Sequence, residues 1–346
     1  MQSGTESAQS STSSAVVYGS DDRRDYYDVQ DGPLRKMFAY SVVLIPDYRI
    51  QSLLDGTLTG IHTWGELEQL CPGEPFAEQP SAAFCSGVLV GQGMILTSRH
   101  CVAETELAST RVALGYYLDG VGHLALDMQD VHELTSVVSS SDQNSDGIDY
   151  AWLRFAGETT QILPTAPVIT SPSPVGDGEP LLSVNSGGGI PLKLDAGGTV
   201  VDARHAIQDY FLADIDAFRG ASGSGVFNSD GALVGVLTGG NADFVRTDSG
   251  CRKTIRLSNT EANERIMYVR QAIDGLCTVE PGHSLCDRNC EQPCYDRFTP
   301  SEHANAACSL RYIKRGNSGA EWGMFEASAL VAVAALRRRM RGRCCV

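Results

Sequence analysis

Short apolar runs, broken every few positions by Gly, Pro, Asn, Asp or Ser, set the rhythm of this chain. The runs fall at 40–45, 86–90, 94–97 and 150–155, and again at 181–184, 199–201, 225–227 and 232–238. Each has the length of a strand, and the residues between them are those of tight turns. Gly91-Gln92-Gly93, Gly187-Gly188-Gly189 and Asn228-Ser229-Asp230-Gly231 supply such turns, the last with the Asp-Gly pair of a hairpin. Strands so spaced, without long helical periods, predict an all-β protein made of two antiparallel β-barrels. Residues 16–155 are expected to hold the first barrel and 181–276 the second, joined by a Thr-, Pro- and Gly-rich linker over 156–180.

The ends of the chain differ from this middle. Residues 1–15 are polar and low in complexity, as in a disordered region or a pro-segment. Over 277–320, Cys277, Cys286, Cys290, Cys294 and Cys308 fall among polar residues, which predicts an extension held by cross-links. Residues 321–346 contain an apolar run (322–336, interrupted by Glu326), then an arginine cluster and Cys344-Cys345. Fifteen residues are fewer than the roughly 20 that span a bilayer. The arginines nevertheless fit a stop-transfer flank, so attachment to a membrane or cell surface is one expectation and a surface amphipathic helix the other.

Composition narrows the function. The net charge is −15, and five arginines in 337–346 leave −20 on the remainder. An acidic body of this kind speaks against nucleic-acid binding, which needs a basic face. Eleven cysteines point to an oxidising compartment, hence a secreted or cell-surface protein, although residues 1–15 contain no apolar export signal. Cys71 is expected to pair with Cys251 or Cys277, a choice the sequence leaves open. The spacing Cys286-x3-Cys290-x3-Cys294 reads as disulfides before it reads as metal ligands. Neither metal nor cofactor is expected.

The chemistry lies in three separated places: His100 in Leu96-Thr97-Ser98-Arg99-His100-Cys101, Asp149 before Tyr150-Ala151-Trp152-Leu153, and Ser222 in Gly220-Ala221-Ser222-Gly223. A serine hydroxyl is a poor nucleophile until a base takes its proton, and the base needs an acid to fix its tautomer. Asp149 is preferred over Asp142 and Asp146 because a buried strand directly after it places its carboxylate at the strand's mouth. Ser222 is preferred over Ser224 because small residues flank it on both sides and free the amides of Gly220 and Ser222 to converge on an oxyanion. Cys85 precedes Cys101 by sixteen residues across a hairpin, and a bridge between them would pin the loop carrying His100. An α/β-hydrolase elbow is excluded, since the second glycine is misplaced and only His283 and His303 follow the serine.

Over about 16–276 these residues resemble the chymotrypsin/trypsin-like serine peptidases, and more closely the bacterial branch that contains the glutamyl endopeptidases. Val16-Val17-Tyr18-Gly19 is similar to that branch's mature amino terminus, and Phe84–Val90 with Leu96–Cys101 to its histidine region. Ser186–Lys193 and Phe211–Asn228 are similar to its serine region. The C-terminal tail resembles a myxobacterial sorting tag. The resemblance implies two six-stranded barrels with the active cleft between them, His100 as general base then acid, Asp149 as its orienting partner and Ser222 as nucleophile. It implies an enzyme acting on protein or peptide substrates; a monomer is expected, and control of a zymogen by the segment before Val16 is a separate expectation. Ala221 stands where the animal enzymes have Asp, so activation by an ion pair with a freed amino terminus is not expected. Asp216 falls where a carboxylate selects basic P1 side chains, though the same Asp also occurs in some Glu-preferring relatives, which leaves a structural role open, and Leu237 falls where the glutamyl enzymes carry a histidine. Thr238, Gly239 and Gly240 form the expected substrate-pairing edge. A basic P1 residue is favoured, then small or apolar ones. The competing expectation is a peptide-binding protein that keeps the cleft without turnover.

Overall fold

The structure, a computed structural model, describes residues 16–50, 61–91, 93–103, 107–142, 147–156 and 175–286. Six antiparallel strands close the first barrel: β1 (Ser41–Pro46), β2 (Cys85–Gly91), β3 (Met94–Thr97), β4 (Thr110–Ala113), β5 (Val131–Ser140) and β6 (Ala151–Phe155), in the order β6-β3-β2-β1-β4-β5. Val42 to Ile45 of β1 are all solvent-free, because this strand is covered on both faces. β5 carries Thr and Ser on an open face and is largely half-exposed.

The second body is an eight-stranded sheet. It contains β7 (Leu181–Asn185), β8 (Lys193–Asp195), β9 (Val200–Asp202), β10 (Tyr210–Ala213), β11 (Gly225–Asn228), β12 (Leu233–Gly239) and β13 (Glu264–Tyr268). They run β9-β10-β13-β12-β11-β7-β8, and a short strand, Arg24–Asp25, completes the edge beyond β8. Leu181 N–H donates to Gly198 O (2.8 Å) and Val200 N–H to Glu179 O (3.0 Å), which draws β9 back toward the start of β7. Six strands therefore curl toward a ring, while β8 and Arg24–Asp25 lie outside it. The fold is the double-barrel type expected, with few helices.

The ends of the two bodies cross over. Residues expected to open the first barrel instead serve the second: Val17–Tyr18 pairs in parallel with Arg256–Leu257, and Arg24–Asp25 pairs with β8. Lys193 of β8 is buried and ion-paired with Asp25 at 2.8 Å, and Arg23 lies 4.3 Å above the Phe218 ring. These contacts, more than local pattern, decide where the segment goes. In exchange, the second body ends in a helix, Val269–Val279, that packs on β5 and β6 of the first. Its buried Val269, Ala272, Ile273 and Leu276 make an apolar stripe at helical spacing. Trp152 Nε1–H donates to Ala272 O (2.8 Å), and Arg154 holds Glu280 through both carboxylate oxygens.

Among the described residues the disulfides are Cys71–Cys251, Cys85–Cys101 and Cys277–Cys286. The first settles the choice the sequence left open. Cys290, Cys294, Cys308, the apolar tail, residues 1–15 and most of the 156–180 linker lie outside the described residues. No helix among the described residues is long and apolar enough to cross a membrane.

Candidate active site

His100 begins a short helix, His100–Ala103, immediately after β3. The Cys85–Cys101 bridge ties that helix to the start of β2, which keeps the histidine's backbone at the barrel rim. Asp149 precedes β6, and Tyr150 behind it is buried with its N–H donating to Ser141 Oγ (3.2 Å). The two meet through both carboxylate oxygens: Asp149 Oδ1 accepts the His100 backbone N–H (3.1 Å) and Oδ2 lies 2.6 Å from His100 Nδ1. With Nδ1–H donated to the carboxylate, Nε2 is left as the free base. The imidazole is 44% exposed.

Ser222 lies in the turn between Ala217 and β11. Two glycines make the turn possible. Gly220 has φ +102°, and a Cβ there would meet Ser186 O at 2.8 Å. Gly223 has φ +89°, and a Cβ there would collide with Thr97 Oγ1 and Ser86 O at 2.1 and 2.2 Å. Only a residue without a side chain lets the serine turn come this close to β2 and β3 of the other body.

Four hydrogen bonds lock the turn, three of them across the gap between bodies. Ser86 N–H donates to Ser222 O (2.8 Å) and Ser86 Oγ–H to Gly220 O (2.9 Å). Gly223 N–H and Ser98 Oγ–H both donate to Leu237 O, at 2.8 and 3.1 Å. The Ser222 carbonyl thereby sits 3.7 Å from Cys101 Sγ, one residue from His100. Among the described residues the backbone amides of Gly220 and Ser222 donate to no protein acceptor, and the Ser222 hydroxyl makes no hydrogen bond. Two free N–H groups beside a free hydroxyl match an oxyanion site with its nucleophile. His100 also brings Cys85 and Cys101 within 4.8 Å, but both sulfurs are spent in the disulfide and offer no thiolate to a metal.

The specificity candidates are placed differently from one another. Leu237 is buried in the core and acts through its backbone. Thr238 is half-exposed and donates its hydroxyl to Arg265 O (3.2 Å), and Gly240 ends the same edge. Asp216 does not face an open cleft. Its Oδ1 accepts Tyr18 N–H (2.7 Å) and its Oδ2 accepts Asp22 N–H (2.9 Å). Burial, aided by the neighbouring Asp195 carboxylate, raises its pKa. The side chain expected to read the substrate therefore anchors the amino-terminal segment.

Sequence reasoning passed over Ser86, whose two bonds set the serine turn, and Glu264, a fully buried acid against Gly240. A serine directly after Cys85 gave no local sign of the first. The second was signalled only by an acid at the head of an apolar run, Glu264-Arg265-Ile266-Met267-Tyr268.

Residues 85–236 match the model of the trypsin-like peptidase domain, a stretch that contains His100, Asp149 and Ser222. None of the curated proteins matches the chain. Solved structures similar to it include an inactive serine-to-alanine mutant of Rv3671c from M. tuberculosis H37Rv, at 13% identity and TM-score 0.41, covering 77% of this chain and 97% of that one. Another is the VesB protease of Vibrio cholerae, at 14% identity and TM-score 0.43, covering 76% of this chain and 67% of that one.

Proposed function

We propose that this chain is a serine endopeptidase that hydrolyses peptide bonds through an acyl-enzyme. The observations that carry the proposal are the doubly bonded Asp149–His100 pair, the approach of the neighbouring Cys101 Sγ to Ser222 O (3.7 Å), and Gly220 and Ser222 amides that donate to no acceptor among the described residues. Ser222 Oγ attacks the scissile carbonyl while His100 Nε2 takes its proton, and Asp149 steadies the imidazolium that forms. The carbonyl oxygen, now negative, is received by the two free amides. His100 then passes the proton to the leaving amine, and a water molecule repeats the sequence to release the acid product. The closed disulfide and the interbody bonds of Ser86 fix both halves of the site before substrate arrives, which limits the reorganisation the reaction would otherwise demand.

Export to an oxidising compartment, release of a segment before Val16 and a preference for basic P1 residues belong to the same proposal. The three disulfides support the first. The burial of Val16, Val17 and Tyr18, with the Tyr18 and Asp22 amides donated to Asp216, supports the second, because it fixes the path of the chain from Val16 onward. The test is cleavage of a random peptide library by wild type, Ser222→Ala and His100→Ala. Cleavage confined to wild type is expected; equal cleavage by Ser222→Ala would remove the serine from its role.

A further inference from the structure

The buried acids of the second body include some whose hydrogen-bonding capacity is not used up. Asp216 is spent on Tyr18 and Asp22. Glu264, with 0% exposure, accepts the Tyr18 hydroxyl (2.8 Å) and the Asn241 N–H (3.4 Å) through Oε1 alone. Its Oε2 is buried and has no partner among the described residues. A buried carboxylate oxygen without a donor is costly, so an oxygen left in this state invites a ligand that supplies one.

Its position says which ligand. A Cβ built on Gly240 would lie 1.7 Å from Glu264 Oε2, so the carboxylate fills the space a side chain at 240 would take. Gly240 ends the Thr238–Gly240 edge, and that edge starts at Leu237, whose carbonyl anchors Gly223 beside the nucleophile. Three residues of extended chain separate Leu237 from Gly240, about 10 Å. A peptide carbonyl at Ser222 followed by an extended lysine or arginine side chain covers a similar span. A second acid flanks the same bend: Asp243 accepts Arg219 N–H (3.2 Å), and its buried Oδ1 has no partner among the described residues.

Resting on the peptidase reading, we infer that Glu264, not Asp216, is the anionic group that receives a cationic P1 side chain, delivered to its unpartnered oxygen beneath Gly240. Tyr18 is its positioning residue, since the hydroxyl it donates fixes which oxygen stays free. The amino-terminal segment thus shapes substrate choice through Tyr18 as well as through Asp216. Burial, with Asp243 and Asp216 nearby, pushes the Glu264 pKa up to about 8. A bound cation favours the ionised form, so binding displaces a proton, and the preference for a cation strengthens as pH rises from 6 to 9.

The test compares kcat/KM for two peptides that differ only at P1, lysine against norleucine, at pH 8, in wild type and Glu264→Gln. The ratio is independent of how much enzyme is folded. Wild type is expected to favour lysine, and the ratio to fall roughly 10- to 100-fold in the variant, as for loss of a charged hydrogen bond. A ratio changed less than about twofold, or a wild type that favours norleucine, overturns the assignment. A binding readout stands apart from turnover: butylammonium should raise the melting temperature of wild type more than butanol does, and should lose that advantage in Glu264→Gln. Equal shifts from amine and alcohol in wild type would also overturn it. Failure of wild type to cleave either peptide in a Ser222-dependent way counts against the peptidase reading, while the amine and alcohol shifts still decide the role of Glu264.

Discussion

Replacing Glu264 with Gln should change how stability depends on pH, and the size of the change follows from its surroundings. The carboxyl has 0% exposure, and burial, with two nearby acids, pushes its pKa from the ordinary 4.5 to about 8. The folded protein keeps this proton to a higher pH than the unfolded chain does. Between about pH 4.5 and 8 the unfolded state therefore binds fewer protons, and stability falls as pH rises. Below that window the group's contribution is fully present; above it the loss is complete. At about 1.36 kcal/mol per pKa unit the total is roughly 3–6 kcal/mol. Gln keeps an acceptor for Tyr18 and Asn241 but cannot ionise. Urea titrations of wild type and Glu264→Gln from pH 5 to 9, with disulfides intact, should show wild type losing stability more steeply by about one proton's worth in that window. Near pH 9 the variant should be the more stable protein. Parallel profiles would refute the claim that this acid is held neutral by the fold.

Other outcomes follow from neighbouring contacts. Lys193→Met strands Asp25, 2% exposed, without its cation, and should cost about 3–5 kcal/mol in denaturant titration; adding Asp25→Asn should restore most of it. Ser86→Ala removes the hydroxyl bond to Gly220 O and the acceptor of the Ser186 N–H while keeping the backbone bond to Ser222 O, so kcat should drop roughly 10-fold or more with little change in KM, as two lost hydrogen bonds under the serine turn imply. A matching rise in KM would assign Ser86 to substrate binding instead. Asp149→Asn reverses the donor at His100 Nδ1 and should lower kcat about ten-thousand-fold while leaving the melting temperature near wild type.

The strands were legible where pattern and burial agree. Met94–Thr97 appears with the bounds expected of it, and the runs at 86–90, 225–227 and 232–238 lie within β2, β11 and the start of β12 or differ from them by a residue. β5 was missed because Val131–Ser140 alternates weakly and keeps much of its surface exposed, so hydrophobic contrast is faint. The helix Val269–Val279 was readable from Val269, Ala272, Ile273 and Leu276, which recur at helical spacing; the all-β expectation masked it. The crossing of residues 16–25 to the second body was not readable. It depends on Asp216 bonding amides about 200 residues away, and no local spacing encodes such a pairing. For the same reason Asp216 looked like a substrate acid: its residue type and position were visible, but the backbone that occupies it was not.

The central claim is that Ser222 becomes covalently acylated because Asp149-held His100 deprotonates it. The most direct measurement is peptide mapping by mass spectrometry after reaction of the full chain with a fluorophosphonate, in wild type and in His100→Ala. The account predicts a single phosphonate adduct on Ser222 in wild type and a labelling rate lower by about a thousandfold or more in the variant. An adduct on Ser224 or another residue, or labelling that survives loss of the histidine, would contradict it.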